Sequence, residues 1–230
     1  MIKLAIMGAM EEEITPLLEN FTDINKVDYA NNTYYEAKLG DLEVVIAYSK
    51  IGKVFSTLTA STMIQKFGCD TLFFTGVAGG INAKLKIGDL IVANKLSQHD
   101  LDITAFGHPY GYVPGGSVYV NTDEILKNIA LQVAKENNIS IIEGIIATGD
   151  QFVADENRKD FIGKNFHADA LEMEGASVAL VCDALNVPCL ILRAISDTAD
   201  MDAGFSFDEF LVTSAQNSAN FLMKIIDKIK

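Results

Sequence analysis

Cysteine and histidine are scarce in this chain, and their spacing excludes the sites that they usually build. The cysteines are Cys69, Cys182 and Cys189. Because they are odd in number and lack paired spacing, we expect neither a disulfide framework nor a zinc site, and a reducing compartment fits. The histidines, His99, His108 and His167, are scattered, so no metal cluster is visible and each is expected in a loop or on the surface. The sequence therefore predicts no metal and no cofactor.

Positive charge is also in short supply. The 230 residues include 18 lysines and arginines against 31 aspartates and glutamates, which leaves a net charge of −13. Nucleic acids and anionic membranes need a basic protein face, so both are disfavoured as partners. An anionic small ligand is not excluded.

Long apolar runs are absent too. No run approaches the roughly 20 residues of a membrane span. Met1 leads directly into a predicted strand and then into three glutamates, without the basic and apolar regions of a signal peptide. We therefore expect a cytoplasmic protein. With 49% hydrophobic residues and neither linker nor repeat, residues 1–230 fit a single domain.

Among the features that the sequence does contain, the segment Val187–Asp197 is the most informative. Its continuous apolar residues predict a strand that is buried on both faces, as in parallel sheets covered by helices. Ligands of open α/β sheets bind beyond the carboxyl ends of the strands, where Ser196 and Asp197 would lie. An equally good interpretation is that Asp197 caps the turn or helix that follows.

Strand and helix patterns alternate along the rest of the chain. Predicted strands are Ile2–Met7, Tyr34–Leu39, Leu42–Tyr48, Thr71–Thr75, Leu90–Ala93 and Glu143–Ala147. Predicted helices are Val54–Phe67, Asp123–Asn137, Arg158–Phe166, Gly175–Leu185 and Phe205–Lys230, besides one that starts near Glu11. This alternation predicts a mixed or mostly parallel sheet in an α/β sandwich.

Three glutamates follow the first strand. Carboxylates favour the first turn of a helix, which accounts for Glu11 and Glu12. Glu13 shares an apolar helical face with Met10 and Leu17, and a carboxylate buried there needs a partner or a task.

A glycine cluster, Gly76-Val77-Ala78-Gly79-Gly80, allows close backbone approach by a ligand or another element. A dinucleotide site is the obvious alternative. The spacing is not G-x-G-x-x-G, and the acid expected about 20 residues later is missing, so we reject that alternative.

Further polar and aromatic residues follow predicted strands. Glu172 and Glu174 flank Met173, and in an extended segment both carboxylates would point the same way; helix-start charge is the alternative. Residues 100–116 form a long aromatic loop, which is typical of a functional loop or an interface. Carboxylates beside flat apolar surfaces suit cleavage of a nucleoside glycosidic bond, since they stabilise a developing oxocarbenium ion.

Seven motifs resemble those of the 5′-methylthioadenosine/S-adenosylhomocysteine nucleosidase family, in order over essentially the whole chain. They are G-A-M-E-E-E, S-K-I-G-K-V, T-G-V-A-G-G, D-I-T-A-F-G, T-G-D-Q-F-V, L-E-M-E-G-A-S and R-A-I-S-D. The resemblance implies the three-layer α/β/α sandwich of the nucleoside phosphorylase superfamily, with a mixed central sheet, and a homodimer.

The resemblance also implies roles for individual residues. Asp197 would protonate the adenine at N7, and Glu13 would orient and deprotonate the attacking water, with Arg193 nearby. Glu174 would hold the ribose hydroxyls beside Met173. The remaining expected contacts are Phe152 stacked on the adenine, the Val153 backbone at its edge, Met10, Ile51 and Phe207 along the ribose and thioalkyl region, and Glu172, Val77 and Ser196. Ile103, Phe106, His108 and Pro114 would reach into the site of a partner subunit.

Two departures from the family pattern concern specificity. Val77 stands where many members have serine, and His108 stands where others have tyrosine. Both look like the branch that also cleaves 6-amino-6-deoxyfutalosine. The alternatives are a nucleoside phosphorylase, whose phosphate the three glutamates would repel, and a non-catalytic nucleoside sensor, which would not need both Glu13 and Asp197.

Overall fold

The computed structural model describes residues 2–197 and 203–229. Within them the strands are β1 Lys3–Gly8, β2 Thr22–Tyr29, β3 Asn32–Leu39, β4 Leu42–Tyr48, β5 Thr71–Phe74, β6 Val77–Gly80, β7 Leu90–Gln98, β8 Val120–Asn121, β9 Ile141–Thr148, β10 Ala170–Glu172 and β11 Cys189–Asp197. The helices are α1 Glu11–Leu18, α2 Lys53–Gln65, α3 Glu124–Glu136, α4 Glu156–Phe166, α5 Gly175–Leu185 and α6 Ala203–Ile229, and Thr104–Phe106 form a 3-10 turn.

The strands form one mixed sheet in the order β2-β3-β4-β1-β5-β11-β6-β10-β9-β7-β8. β1 pairs in parallel with β4 and β5, whereas β3 and β4 form an antiparallel hairpin around Gly40-Asp41. β11 pairs in parallel with β5 and β6 and antiparallel with β7, which closes β11, β6, β10, β9 and β7 into a ring. The predicted mixed sheet is confirmed, but no sequence pattern indicated the closed ring.

Alternate residues of the central strands pack against two helical layers. On β1, Leu4 and Ile6 belong to a core with α1, α3 and α6, whereas Ala5 and Met7 belong to a core with α2 and α5. This division follows from the two-residue period of a strand. The predicted three-layer α/β/α sandwich is therefore confirmed.

β11 is the strand on which both cores depend. All nine of its residues are buried, as its unbroken apolar pattern predicts. Leu190 and Ile191 contribute to opposite cores, and the strand ends in Ser196 and Asp197, where it pairs with β6. Burial of this strand thus fixes the position of the two polar residues at its end.

At three places the structure differs from the sequence prediction or adds to it. Thr22–Tyr29 is an edge strand that the sequence did not predict, because almost all of its side chains are exposed and show no alternation. Val77–Gly80, in the glycine cluster that was expected to allow close backbone approach by a ligand or another element, is a buried strand between β11 and β10. His99, expected in a loop or on the surface, lies in the turn after β7 but is only 1% exposed. No helix in the described residues combines the length and hydropathy needed to cross a bilayer.

Candidate active site

A cavity of about 260 Å³ opens where β6 runs between β10 and β11. Its wall contains all the residues predicted to contact substrate from within the same chain except Arg193. They are Met10, Glu13, Ile51, Val77, Phe152, Val153, Glu172, Met173, Glu174, Ser196, Asp197 and Phe207. The structure thus brings together side chains that are up to 197 positions apart in the sequence.

Five further residues line the cavity that the sequence reading did not single out: Ala9, Ala78, Gly79, Gln151 and Leu171. Four of them are small or apolar, so nothing in their own chemistry marks them. Four of the five adjoin a predicted site residue in the sequence, and Gly79 is the exception. Gly79 and Ala78 belong to the glycine cluster that was expected to allow close approach of a ligand, so sequence position was the signal that could have found all five.

Glu13 lies in the first turn of α1 and is 3% exposed. Its Oε2 accepts hydrogen bonds from the backbone N–H groups of Ala9, at 2.5 Å, and Met10, at 3.0 Å. Its Oε1 accepts from the N–H of Val77 at 3.0 Å. Burial raises the pKa of Glu13, although the Arg193 charge and these N–H groups act in the opposite direction. Glu11 and Glu12 are exposed, as expected for helix-start charges.

Asp197 ends β11 and is 4% exposed. Burial raises its pKa, while the Ser196 hydroxyl, which donates to Asp197 Oδ1 at 3.1 Å, and the charge of Lys159 lower it. The alternative in which Asp197 caps a following turn concerns residues 198–202, which lie outside the described part of the chain.

Glu172 and Glu174 have different partners, because β10 ends at Glu172 and the backbone then turns into α5. Glu172 Oε2 accepts from Arg193 Nη2 at 2.8 Å and from the N–H groups of Glu174 and Gly175, so it fulfils the helix-start alternative. It also accepts from the Thr148 hydroxyl. Because the strand ends at Glu172 and a bend follows it, the condition of one extended segment is not met, although both side chains line the same cavity.

Glu174 is 5% exposed, and its Oε1 accepts from the Gly52 N–H at 2.7 Å. Burial, with the negative charge of Glu172, raises the pKa of Glu174 to about 8. Its carboxyl group is therefore mainly protonated near neutral pH and can both donate and accept hydrogen bonds.

Arg193 stands behind the cavity rather than in its wall. Its side chain is buried, its guanidinium lies over the Phe74 ring at 4.0 Å, and it donates to the carbonyl groups of Phe74 and Leu192. With Glu172 it forms a buried ion pair. Arg193 thus orients Glu172 and lowers the pKa of Glu13 through its charge.

Aromatic side chains border the cavity mouth. The Phe152 and Phe207 rings meet edge to face with centroids 5.5 Å apart, and Phe152 is 51% exposed. Val153 is buried beside them. A planar ligand that enters between these groups would gain the area that Phe152 now leaves exposed.

The predicted partner-contacting residues lie away from this cavity. Ile103, Phe106, His108 and Pro114 are absent from its wall, and Phe106 is 81% exposed. His108 stacks on Tyr112 with ring centroids 4.5 Å apart. Their side chains are therefore available to a second molecule rather than to the site of their own chain.

The wall of the cavity contains four carboxyl groups, whereas the described residues place no lysine, arginine or histidine there. No cluster of potential metal ligands occurs among the described residues either. Burial raises the pKa of two carboxyl groups in the wall, Glu13 and Asp197, so both are candidates for proton transfer.

Comparisons with known proteins agree with this geometry. The profile of the family described as "Phosphorylase superfamily" matches residues 3–227. The chain is 62% identical to an aminodeoxyfutalosine nucleosidase of Campylobacter jejuni and 38% identical to a 5′-methylthioadenosine/S-adenosylhomocysteine nucleosidase of a Geobacillus species, with full coverage of all chains. A Helicobacter pylori 5′-methylthioadenosine/S-adenosylhomocysteine nucleosidase, solved with butyl-thio-DADMe-Immucillin-A, superposes with a TM-score of 0.97 at 49% identity and 99% coverage of each chain. The chain therefore belongs to the phosphorylase superfamily, on the branch of the 5′-methylthioadenosine/S-adenosylhomocysteine and aminodeoxyfutalosine nucleosidases.

Proposed function

We propose that this enzyme hydrolyses the N-glycosidic bond of 6-amino-6-deoxyfutalosine, 5′-methylthioadenosine and S-adenosylhomocysteine, and also that of 5′-deoxyadenosine. The products are adenine and the corresponding ribosyl compound, which serve menaquinone synthesis and methionine salvage. The observation that carries the proposal is that Glu13 and Asp197, both buried and both of raised pKa, face one cavity.

The proposed reaction divides the work between these two carboxyl groups. Asp197, whose pKa is raised by burial, donates a proton to N7 of the departing base. Glu13, held by three backbone N–H groups, orients water and accepts its proton. The oxocarbenium charge that develops on the ribose is stabilised by nearby carboxylate groups. Glu174 holds the ribose hydroxyl groups.

The cavity favours water over phosphate as the nucleophile. A phosphorylase needs cationic groups to hold its phosphate. The described wall offers carboxyl groups and no cationic side chain. Phosphate would therefore meet electrostatic repulsion beside Glu13.

The breadth of substrates rests on relatives and on two residues. One relative carries the name aminodeoxyfutalosine nucleosidase and another the name 5′-methylthioadenosine/S-adenosylhomocysteine nucleosidase. Val77 lines the cavity, and His108 lies on the exposed loop. Both differ from the commoner family residues in the way expected of the futalosine branch.

We further propose a cytoplasmic homodimer in which Ile103, Phe106, His108 and Pro114 complete the site of the partner subunit. The exposure of Phe106 and the absence of these four residues from the wall of their own cavity support the dimer. Three buried cysteines without a disulfide support a reducing compartment.

Product analysis on the purified protein tests the function. Each of the three main nucleosides is incubated with and without inorganic phosphate, and the base and sugar products are separated. We expect adenine and a free reducing sugar without any need for phosphate. Ribose 1-phosphate would instead indicate a phosphorylase, and tight nucleoside binding without release of base would indicate a sensor. The ratio of the specificity constants shows which 5′ group is preferred.

A further inference from the structure

His99 is a buried histidine at the end of β7 that the proposed chemistry does not use. It follows the last residue of the strand, is 1% exposed and does not line the cavity. Its backbone N–H donates to the Thr148 carbonyl at the end of β9. Its ring lies against Gly149, where an added Cβ would stand 2.3 Å from His99 Cε1. No residue but glycine leaves room for the ring there.

Arg158 in the first turn of α4 binds this histidine. Its Nη2 lies 3.1 Å from His99 Nδ1 and 3.1 Å from the His99 carbonyl oxygen. Because a guanidinium group can only donate, Nδ1 must be the acceptor, and the proton of the neutral ring is on Nε2. Burial and the Arg158 charge lower the pKa of His99 to about 4, so this neutral form persists at neutral pH.

The same guanidinium reaches the cavity wall. Arg158 Nε donates to Gln151 Oε1 at 3.2 Å, and Gln151 lines the cavity immediately before Phe152 and Val153. Residues 149–155 have no regular secondary structure between β9 and α4. One side chain therefore connects a buried strand end to an otherwise irregular loop.

We propose that His99 and Arg158 form a positioning pair that holds Gln151, and through it Phe152 and Val153, in the geometry that binds the base. This inference rests on the proposed function, which places the base beside Phe152. A loop that is ordered before binding loses less conformational entropy when the ligand arrives, so the pair raises affinity at the base end.

Two variants test the pair. Arg158→Met removes both donors, and His99→Leu removes the ring acceptor. We expect the KM for 5′-methylthioadenosine and for 6-amino-6-deoxyfutalosine to rise by the same factor, about tenfold, because these substrates share the base and differ at the 5′ end. We expect kcat to stay near that of the wild type, since the contact is lost equally in the ground and transition states. The dissociation constant of adenine, measured by calorimetry, should rise by the same factor.

Four further variants separate positioning from general damage. Lys164→Met removes an exposed cation from the same helix and should leave KM unchanged. His99→Asn places an amide oxygen near the former position of Nδ1 and should recover part of the affinity for adenine. Arg158→Lys keeps the positive charge and should also recover part of that affinity. It takes the place of Arg158→Met if the methionine variant does not fold. The double variant Arg158→Met/His99→Leu should bind adenine no more weakly than the weaker-binding single variant, because both substitutions act through one contact.

The pair is not a positioning device if adenine binds to Arg158→Met and His99→Leu as it binds to the wild type, or if kcat falls while KM stays constant. Calorimetry needs no turnover, so it separates the two proposals. A wild type that binds adenine but releases none from nucleosides refutes the proposed hydrolysis, whereas unchanged adenine binding in the variants refutes only the pair.

Discussion

At the scale of single residues, the three glutamates at the start of α1 show how burial separates chemistry from helix stabilisation. Glu11 and Glu12 are exposed, whereas Glu13 is 3% exposed and accepts three backbone hydrogen bonds. The sequence predicted this difference from the apolar face that Glu13 shares with Leu17. Substitutions at Glu11 and Glu12 can therefore serve as controls for the same substitution at Glu13.

The first prediction uses this contrast. Glu13→Gln and Asp197→Asn should each lower kcat by a factor on the order of 100 or more, because each removes a proton-transfer group. Glu11→Gln changes the same charge on the exposed face and should retain activity. Steady-state kinetics and thermal unfolding check the variants together. A Glu13→Gln protein that releases adenine at the normal rate would show that another group activates the water.

The second prediction concerns pH and Glu174. Its folded-state pKa of about 8 lies above its ordinary value of 4.5, so folding favours the protonated form. The stability that it contributes is fully present below about pH 4.5 and is lost as the pH rises to about 8. Residue 174 in Glu174→Gln does not titrate but can still accept a hydrogen bond from the Gly52 N–H. As the pH rises through this window, the Tm of Glu174→Gln minus the Tm of the wild type should therefore increase, on the order of a few degrees.

Thermal unfolding at a series of pH values measures this difference. Glu12→Gln removes a charge from an exposed position and provides the control. A Tm difference between Glu174→Gln and the wild type that stays constant between pH 4.5 and pH 8 would mean that Glu174 titrates alike in the folded and unfolded chains.

At the scale of elements, the backbone of β6 closely approaches Asp197, the proposed catalytic acid. An added Cβ at Gly79 would stand 2.9 Å from Asp197 Oδ2, whereas at Gly80 it would meet the side chain of Ile195 at 3.4 Å. Contacts under 3.0 Å require something to move. The strand thus presents two adjacent glycines of which one faces the site closely.

The third prediction compares these neighbours. Gly79→Ala should displace the Asp197 carboxyl group and lower kcat by about tenfold or more, since a displacement near 1 Å is costly in catalysis. Gly80→Ala should retain most of the activity. Kinetics on both variants, with circular dichroism to confirm folding, checks the result. Equal losses in the two variants would show that the strand as a whole, rather than the approach to Asp197, is sensitive.

The sequence predicted an element correctly where the residues of that element alone carry a clear apolar pattern. β11 and α3 carry strong apolar patterns, and their positions are confirmed. β2 has no buried face of its own, and β6 contains two glycines, so their strand pairing depends on neighbours that no local pattern names. The burial of His99 was not predicted for the same reason, because a single histidine carries no periodicity. The assembly of site residues in one cavity followed from motifs, while the antiparallel approach of β10 did not.

At the scale of the whole molecule, the exposed loop around Phe106 and the cavity are separate surfaces of one chain. Phe106 is 81% exposed, and Ile125 on α3 is 71% exposed. Phe106 belongs to the loop assigned to the partner site. Ile125 has no such assignment, so it is a matched exposed apolar residue.

The fourth prediction compares Phe106 with Ile125. The wild type should sediment as two 25.0 kDa chains, and Phe106→Ala should weaken the association and lower activity at low protein concentration. Ile125→Ala should change neither. Analytical ultracentrifugation over a dilution series, with activity measured on the same samples, checks both properties. A wild type that sediments as one chain while fully active would show that the loop of a partner subunit does not contribute to the site.

The burial of all three cysteines has a practical consequence for studying this protein. Since native thiols are shielded from reagents in the core, a cysteine introduced in place of Phe207 would be the one thiol that a maleimide dye reaches in the folded protein. A dye at this position, opposite Phe152, would report by its emission when ligands enter and leave, without first having to build a cysteine-free background.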